Sequence, residues 1–234
     1  MAVEVDAVRG GGALLSGVRG VLFDFDGPVC RLFPNGSSLP VADELRALLA
    51  RAGAKQLLTA REEQGKDPHA VLRAVHRASP EREDLVDALE EHVSVREVAA
   101  AHKAWPTPGA AELIRRLSQR GLRLAVVTNN SARAASSYLE SHGLQGCFDV
   151  VHGRTRDLDL MKPHPDVVVR ALRSLGLRRE EAVMIGDSPA DVNAARRAGV
   201  RFIGFGRNSH KESELRGAGA PVVLNSYAVW LDER

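Results

Sequence analysis

The sequence contains little cysteine, almost no net charge and no long apolar run, and each shortage excludes a class of protein. Two cysteines in 234 residues cannot form the disulfide framework of a small secreted domain or a cysteine-rich zinc site. No apolar stretch approaches the ~20 residues that a membrane-spanning helix needs. The first residues include Glu4 and Asp6 and lack the basic and apolar regions of a signal peptide. We therefore predict a cytoplasmic protein with reduced cysteines and no membrane partner.

The charge balance gives no electrostatic reason to expect nucleic acid. The chain has 32 basic and 30 acidic residues, a formal net charge of +2. Basic pairs such as Arg115-Arg116 and Arg196-Arg197 are scattered along helical segments, where they are interpreted as solvated faces. Hydrophobic residues at 44% and charged residues at 26% are typical of a globular protein. We expect a small-molecule partner, no nucleic acid, and a monomer or small homo-oligomer.

The stretch 20–30 is the most informative part of the chain. A short apolar run, 21–23, leads directly into Asp24, and Asp26 follows two residues later. Such a run next to glycine is typical of a buried strand, and ligands bind at the carboxyl ends of strands in open α/β sheets. Two carboxylates this close resist joint ionisation unless a cation or a proton lies between them. The pair predicts a divalent-metal site or a nucleophile beside a general acid; alternatively, both are turn residues after a strand.

The pattern becomes helical between residues 31 and 105. Residues 31–40 are rich in turn formers, and apolar residues then recur at helical spacing up to about residue 104. Breaks that contain glycine or proline divide this part into about four helices, with no sign of a strand. We predict a helical domain at 31–105, inserted into a second domain formed by 1–30 and 106–234.

The rest of the chain alternates strands with helices that end at glycine. We predict strands at the following apolar runs: 122–127, 148–151, 182–185, 201–205 and 222–224. Such alternation is typical of βαβ units with right-handed crossovers. The predicted fold class is α/β, a Rossmann-like parallel sheet flanked by helices, with an inserted α-helical domain.

Three apolar runs end in a polar residue: Asp24, Thr128 and Asp187. Because the carboxyl ends of parallel strands meet at one edge of a sheet, we expect these distant residues to converge. Asp24, Asp26 and Asp187 offer the oxygen ligands that Mg²⁺ prefers. Thr128 adds a hydroxyl near a helix start, where an anion is favoured, and Lys162 adds a positive charge. This set predicts a site for a phosphoryl group.

The same residues resemble the motifs of the haloacid dehalogenase superfamily of phosphatases. Asp24-Phe25-Asp26-Gly27 is similar to its first motif, Thr128-Asn129 to its second, Lys162-Pro163 to its third, and residues 186–191 to its fourth. The motifs occur in the family's order and span nearly the whole chain. The inserted helices occupy the place of the family's helical (C1-type) cap, so the resemblance implies a catalytic core covered by a cap domain.

The resemblance implies a role for each matched residue. Asp24 is expected to be the nucleophile that forms an aspartyl-phosphate, and Asp26 the acid that protonates the leaving alcohol and later activates water. Thr128 and Lys162 are expected to hold the phosphoryl oxygens. The expected phosphate- or substrate-binding residues are Phe25, Gly27, Arg31, Thr128, Asn129 and Lys162. The expected Mg²⁺ ligands are Asp24, Asp26, Asp187 and Asp191.

Two positions need separate interpretation. Asp191 has the spacing from Asp187 of the fourth motif, and it is expected to support the metal through water or to orient Lys162. Alternatively, it is a helix N-terminal charge favoured by the dipole. Pro28 departs from the family, which usually has Thr or Val there, and proline removes a backbone N–H. The acid pair is untouched, so we expect activity to be retained.

Residues of the cap are expected to contact the leaving group, since lids of this kind commonly exclude water and gate turnover. The candidates are Arg31, Phe33, Arg61 and Lys66, although such side chains are more often solvated or packed in a core. No metal-type spacing links three histidines of this segment, which are interpreted as surface or core residues: His69, His76 and His92.

The leading hypothesis is a Mg²⁺-dependent phosphomonoesterase. Asp26 favours ester hydrolysis, because dehalogenases of the family usually lack an acid at that position. Phosphoglycolate-like acids, sugar phosphates, nucleotides and ribosylated biosynthetic intermediates are the candidate substrates. Two alternatives stay open: a phosphomutase with the same core, and a non-catalytic interaction protein on the same scaffold.

Overall fold

The structure is a computed structural model that describes residues 11–36 and 38–231. The predicted core segment 1–30 lies partly outside the described residues, and its described part begins with a short helix, Gly11–Leu14. Within the described ranges, the helices are too short or too polar to cross a membrane.

Strands and helices alternate through most of the described chain, which confirms the predicted α/β class. The strands are β1 (Gly20–Phe23), β2 (Cys30–Arg31), β3 (Trp105–Pro106), β4 (Arg123–Val127), β5 (Val150–His152), β6 (Ala182–Gly186), β7 (Arg201–Phe205) and β8 (Val223–Leu224). The α-helices are α1 (Gly11–Leu14), α2 (Leu39–Arg51), α3 (Ala60–Gln64), α4 (Pro68–Ala78), α5 (Glu83–Ala101), α6 (Ala110–Gln119), α7 (Ala132–Ser141), α8 (Asp166–Leu175), α9 (Pro189–Ala198), α10 (Ser209–Gly217) and α11 (Ala228–Leu231).

Strand β1 lies in the middle of a parallel sheet with the order β5-β4-β1-β6-β7-β8. Its Val21, Leu22 and Phe23 are fully buried, because helices cover both faces of the sheet. Val21 and Phe23 pack with α6 and α7, whereas Leu22 packs with α8 and α9. A strand buried on both faces, such as β1, therefore needs an apolar residue at every position.

The register of the sheet brings three strand ends together. Phe23, the last residue of β1, pairs with Val126 of β4 and with Ile185 of β6. The segments that follow these three strands consequently leave the sheet at nearly the same level. Polar residues at the first positions of these segments therefore lie side by side.

The helices α2, α4 and α5 share an apolar cluster of their own. Leu45, Leu49, Val71 and Leu89 belong to this cluster, and Leu158 joins it from the segment after β5. The predicted helical insert therefore forms one packed layer that also rests on the sheet-bearing part of the chain.

A two-stranded ladder lies where the chain enters and leaves these helices. Strands β2 and β3 are antiparallel, with Cys30 opposite Pro106 and Arg31 opposite Trp105. The sequence interpretation expected only turns here. A ladder of two residue pairs is too short to produce a periodic pattern, so it becomes visible only when its halves are brought together.

A buried glutamate joins the helical insert to the sheet. Glu97 of α5 is fully buried, and both its oxygens accept from Arg154 Nη1, at 2.9 and 2.7 Å. Glu97 also accepts from the Ser131 N–H (2.8 Å) and the Asn130 side-chain amide (3.0 Å), and it lies 2.8 Å from His69 Nε2. Burial alone would raise the pKa of Glu97, but its His69 and Arg154 partners outweigh burial and hold it at about 2.

We expect Glu97→Gln to destabilise the fold at pH 7, because buried Arg154 keeps Glu90 but loses its fully buried carboxylate partner. The folded-state pKa of Glu97 lies below the usual 4.5, so its ionised form stabilises the protein above pH 4.5, and this contribution is lost as the pH falls from 4.5 towards 2. We expect Glu97→Gln to lower the free energy of unfolding by an amount on the order of 3 kcal/mol at pH 7. At pH 3 this effect should be smaller by about 2 kcal/mol. Urea unfolding of both proteins at each pH measures the difference.

Glu91→Gln is the matched control, because Glu91 lies on the same helix and pairs with Arg133 at the surface. An exposed pair of this kind contributes little, so the control should unfold like the wild type at both pH values. Equal effects of the two substitutions, or a Glu97→Gln effect independent of pH, would contradict the role of Glu97 as a buried anion.

Candidate active site

The polar residues expected at the sheet edge do converge there. Asp24 directly follows β1, Thr128 follows β4 and Asp187 follows β6. All three are buried, as is Lys162, which comes from the loop before α8. The Asp24 N–H donates to the Ile185 carbonyl (2.8 Å), which holds Asp24 at the strand end. Four distant parts of the chain therefore contribute to one edge of the sheet.

Lys162 lies at the centre of this group. Its ammonium lies 2.7 Å from Asp24 Oδ1 and 2.6 Å from Asp191 Oδ1, and it donates to the Val127 carbonyl (3.0 Å). Burial alone would lower the pKa of the amine, but the two carboxylates outweigh burial and raise it. Lys162 is therefore a permanent cation in a water-poor place, next to the Asp24 carboxylate.

Asp191 uses its two carboxylate oxygens for two contacts. Oδ1 faces Lys162, whereas Oδ2 accepts from the Ser188 hydroxyl (2.6 Å) and the Ser188 N–H (3.0 Å) at the start of α9. The Ser188 hydroxyl accepts in turn from the Asp191 N–H, which completes a capping box. Among the alternatives left open by the sequence, the geometry favours lysine orientation and helix capping together.

The acidic residues next to Lys162 fit a divalent cation. Carboxylate oxygens of Asp24, Asp187 and Asp191 lie within 4.8 Å of one another. Burial raises the pKa of Asp24, and burial also raises that of Asp187 to about 6 despite the nearby charge of Lys211. A cation that takes hard oxygen ligands would relieve this crowding of buried acids. Each of the three carboxylates also contacts a lysine, Asp24 and Asp191 contacting Lys162 and Asp187 contacting Lys211.

Gly27 allows the loop after β1 to approach Asp187 closely. Its φ of 124° favours glycine, and a Cβ there would lie 2.4 Å from the Asp187 Cγ. The Gly27 carbonyl accepts from the Thr107 hydroxyl (2.6 Å), and the Pro28 carbonyl accepts from the Tyr227 hydroxyl (2.9 Å). Pro28 therefore removes one N–H from this loop but leaves it anchored through its carbonyl groups.

Asp26 lies beyond the acidic cluster and is only partly buried. Its Oδ1 accepts from the Leu32 N–H (2.9 Å). Burial raises the pKa of Asp26, against the opposing effects of that hydrogen bond and of the charges of Arg207 and Lys211. A carboxyl group with a raised pKa keeps its proton at higher pH, as a general acid requires.

Phe25 and Cys30 have packing roles. Both side chains are fully buried, and the Phe25 ring meets the Tyr138 ring edge to face at 5.5 Å. Burial also raises the pKa of the Cys30 thiol, which makes it a poor nucleophile. A phosphate contact at Phe25 is therefore restricted to its backbone.

The Asn129 side chain connects the second motif to the third by two hydrogen bonds. Its Nδ2 donates to the Lys162 carbonyl (3.0 Å), and its Oδ1 accepts from the Lys162 N–H (2.7 Å). The Thr128 hydroxyl accepts from the Asn130 N–H (3.0 Å) and lies 3.0 Å from the Asn130 Oδ1. The Asn129 side chain therefore positions the segment that carries Lys162.

Two of the cavities in the described part of the chain adjoin Asp26. The first, of about 320 Å³, separates Asp26 and Asn130 from Phe33, Lys66 and His69 of the helical insert. It is the space between the predicted catalytic acid and the predicted cap.

The second cavity, of about 250 Å³, is bordered by Asp26 and Asp187 and by three cationic side chains. These are Arg31, Arg207 and Lys211. Lys211 Nζ lies 3.2 Å from Asp187 Oδ2. Arg207 and Lys211 had no signal in the sequence, because they follow a strand that carries no motif.

Three other residues considered in the sequence analysis, Arg31, Arg61 and His76, lie in different parts of the structure. Arg31 borders the second cavity, and its guanidinium lies 5.2 Å from the centre of the Trp105 ring. Arg61 is exposed and borders neither cavity. His76 lies near Asp157 and Asp159.

Histidines 69 and 92 also have acidic neighbours. His92 Nε2 lies 2.9 Å from Glu44, away from Asp26. His69 is half-buried and borders the first cavity, a position its interpretation as a surface or core residue did not anticipate. Its partner Glu97 is 28 positions away, so no local pattern could have indicated the pair.

Comparison with known proteins identifies the family. A family model for haloacid dehalogenase-like hydrolases matches residues 18–199. The phosphoglycolate phosphatase of Rhodospirillum rubrum is 31% identical over 221 residues, covering 90% of this chain and 88% of that protein. Pyrophosphatase PpaX of Halalkalibacterium halodurans is 30% identical over 157 residues, covering 67% of this chain and 71% of that protein.

A solved structure shares the fold over most of the chain. The structure of CbbY from Rhodobacter sphaeroides in complex with phosphate superposes with a TM-score of 0.63 at 26% identity, covering 90% of this chain and 95% of that one. The family match includes the aspartates and the lysine that meet at the sheet edge. The chain therefore belongs to the haloacid dehalogenase-like hydrolases and is an enzyme of that family.

Proposed function

We propose that this protein is a Mg²⁺-dependent phosphomonoesterase for a small phosphorylated metabolite. The observation that carries the proposal is the buried contact of Lys162 with Asp24, beside Thr128 and Asp187. Such a site pairs a carboxylate nucleophile with the positive charge that a transferring phosphoryl group needs. The phosphatase names of the relatives support the same chemistry.

In the first proposed step, a carboxylate oxygen of Asp24 attacks the phosphorus atom. The bond from phosphorus to the leaving oxygen breaks, and Asp26 gives its proton to that oxygen. Lys162 and Thr128 hold the non-bridging oxygens, where negative charge is concentrated. The raised pKa of Asp26 supports its role as the acid.

In the second proposed step, ionised Asp26 takes a proton from a water molecule as the water oxygen attacks the aspartyl-phosphate. The bond between phosphorus and Asp24 breaks, which releases inorganic phosphate and restores both carboxyl groups. Two displacements through a covalent intermediate replace one difficult displacement.

Mg²⁺ bound by Asp24 and Asp187 would supply positive charge next to the phosphoryl oxygens. The carboxylate oxygens of the cluster support this choice of ion. Asp191 is assigned to orient Lys162, on the 2.6 Å contact between them.

Residues 31–105 are proposed to act as a cap domain over the core formed by 1–30 and 106–234. The cavity between Asp26 and the insert supports this division, because the leaving group would occupy it while the insert excludes water. A cytoplasmic location is also proposed, in keeping with the two free cysteines.

Asp24→Asn is expected to remove phosphate release, because it deletes the nucleophile. Asp26→Asn is expected to lower kcat by about 10²- to 10⁴-fold through loss of the general acid. Inorganic phosphate is measured with 2-phosphoglycolate, pyrophosphate, ribose 5-phosphate and AMP as substrates.

Asp43→Asn is the control for these variants, because Asp43 lies at the surface of α2 and pairs with Arg46. It should retain wild-type turnover. Undiminished turnover by Asp24→Asn would rule out the covalent mechanism. Conversion of a sugar phosphate to its isomer that requires an added bisphosphate activator, without release of inorganic phosphate, would instead indicate a phosphomutase.

Mg²⁺ is expected to raise the unfolding temperature of the wild type, and excess chelator is expected to abolish turnover. A ligand present at 100 times its Kd stabilises a folded protein by about 2.7 kcal/mol. Asp187→Asn should require much more Mg²⁺ for the same rise, whereas Asp43→Asn should match the wild type. Thermal unfolding over a Mg²⁺ series tests this, and equal rises in the wild type and Asp187→Asn would contradict the assigned ligand.

A further inference from the structure

His69 has a defined partner on one side and a cavity on the other. Its side chain is 16% exposed and borders the cavity of about 320 Å³ next to Asp26. Nε2 lies 2.8 Å from Glu97 Oε1. Nδ1 lies 3.9 Å from Asp67 Oδ1, which is beyond hydrogen-bond distance. One ring nitrogen is therefore held and the other remains available to a ligand.

The Glu97 carboxylate determines which nitrogen of the His69 ring carries a hydrogen. An ionised carboxylate only accepts hydrogen bonds, so the hydrogen on His69 Nε2 points towards Glu97. Glu97 is itself immobilised, since Arg154 and the Ser131 N–H bind its oxygens. The His69 ring is therefore fixed against the segment that follows Thr128.

Lys66 supplies a second positive group at the same cavity. Among the described residues, its ammonium has no ion pair or side-chain hydrogen bond. The neighbouring Asp67 carboxylate is engaged at the start of α4, where it accepts from the His69 N–H (2.9 Å). The Lys66 ammonium gives this cavity an attraction for negative charge, to which the imidazolium form of His69 would add.

We propose that His69 and Lys66 bind an anionic group on the leaving part of the substrate, and that Glu97 is a positioning residue for His69. The inference rests on the proposed function, because Asp26, as the general acid, marks this cavity as the leaving-group side. In its imidazolium form His69 would donate from Nδ1, and Lys66 adds a second charge-assisted hydrogen bond. A carboxylate or a second phosphate satisfies both donors.

The test compares substrates that differ in the group on their leaving part. In 2-hydroxyethyl phosphate, a hydroxymethyl group replaces the carboxylate of 2-phosphoglycolate, and pyrophosphate offers a second phosphate instead. His69→Gln and Lys66→Met are each expected to lower kcat/KM for the preferred anionic substrate by about 10- to 100-fold. The kcat/KM of both variants for 2-hydroxyethyl phosphate should change little. The anionic substrate that loses more identifies carboxylate or phosphate as the group bound.

Glu97→Gln tests the positioning role through the ratio of kcat/KM for the anionic and the neutral substrate. Loss of the anion that holds His69 should lower this ratio, whereas a purely structural effect lowers both values equally and leaves the ratio unchanged. His76→Gln is the control, because His76 lies on the same helix near Asp157 and Asp159. Circular dichroism verifies that each variant is folded.

Two results would overturn the inference while leaving the proposed function intact. One is a wild type that hydrolyses the three substrates equally well. The other is a His69→Gln variant that loses the neutral substrate as strongly as the anionic ones. A wild type that releases phosphate from none of the substrates tested would instead refute the proposed function.

Discussion

A buried ammonium between two buried carboxylates is the interaction on which this site depends. Removing each such ion from water costs several kcal/mol, so the group survives only with close geometry and additional hydrogen bonds. Lys162 meets Asp24 and Asp191 within 2.7 Å and donates to the Val127 carbonyl. Asn129 holds the Lys162 backbone, which keeps the ammonium in place. The motif residues therefore support one another, and the proposed phosphoryl site is held by contacts within the protein itself.

A second buried ion pair extends this organisation to the helical insert. Glu97 and Arg154 lie between α5 and the segment after β4, and Glu97 also binds Asn130 and His69. The segment that begins with Thr128 is therefore held from the insert as well as from the sheet. A displacement of α5 would move the segment after β4 and the border of the cavity next to Asp26 together. This shared contact gives a physical reason for the insert to influence chemistry at the sheet edge.

The predicted strands were reliable because a parallel strand covered on both faces needs a continuous apolar run, as at Val21 to Phe23. The ladder of β2 and β3 escaped prediction because two residue pairs leave no period. Asp191 shows a different limit of prediction from the sequence. Its spacing from Asp187 agreed with a motif, yet spacing alone does not distinguish a metal ligand from a helix cap or a lysine partner, since each needs a carboxylate at that position.

The sequence by itself determined the α/β alternation, the helical insert and the identity of the residues at the strand ends, because burial and backbone geometry leave local patterns. Only the tertiary structure decided which charges are paired. Lys162 meets Asp24 across 138 positions, and His69 meets Glu97 across 28. Electrostatic interactions depend on distance in space and on exclusion of water. Neither quantity is recorded in the order of residues, so the partner of a charge emerges only when the chain has folded.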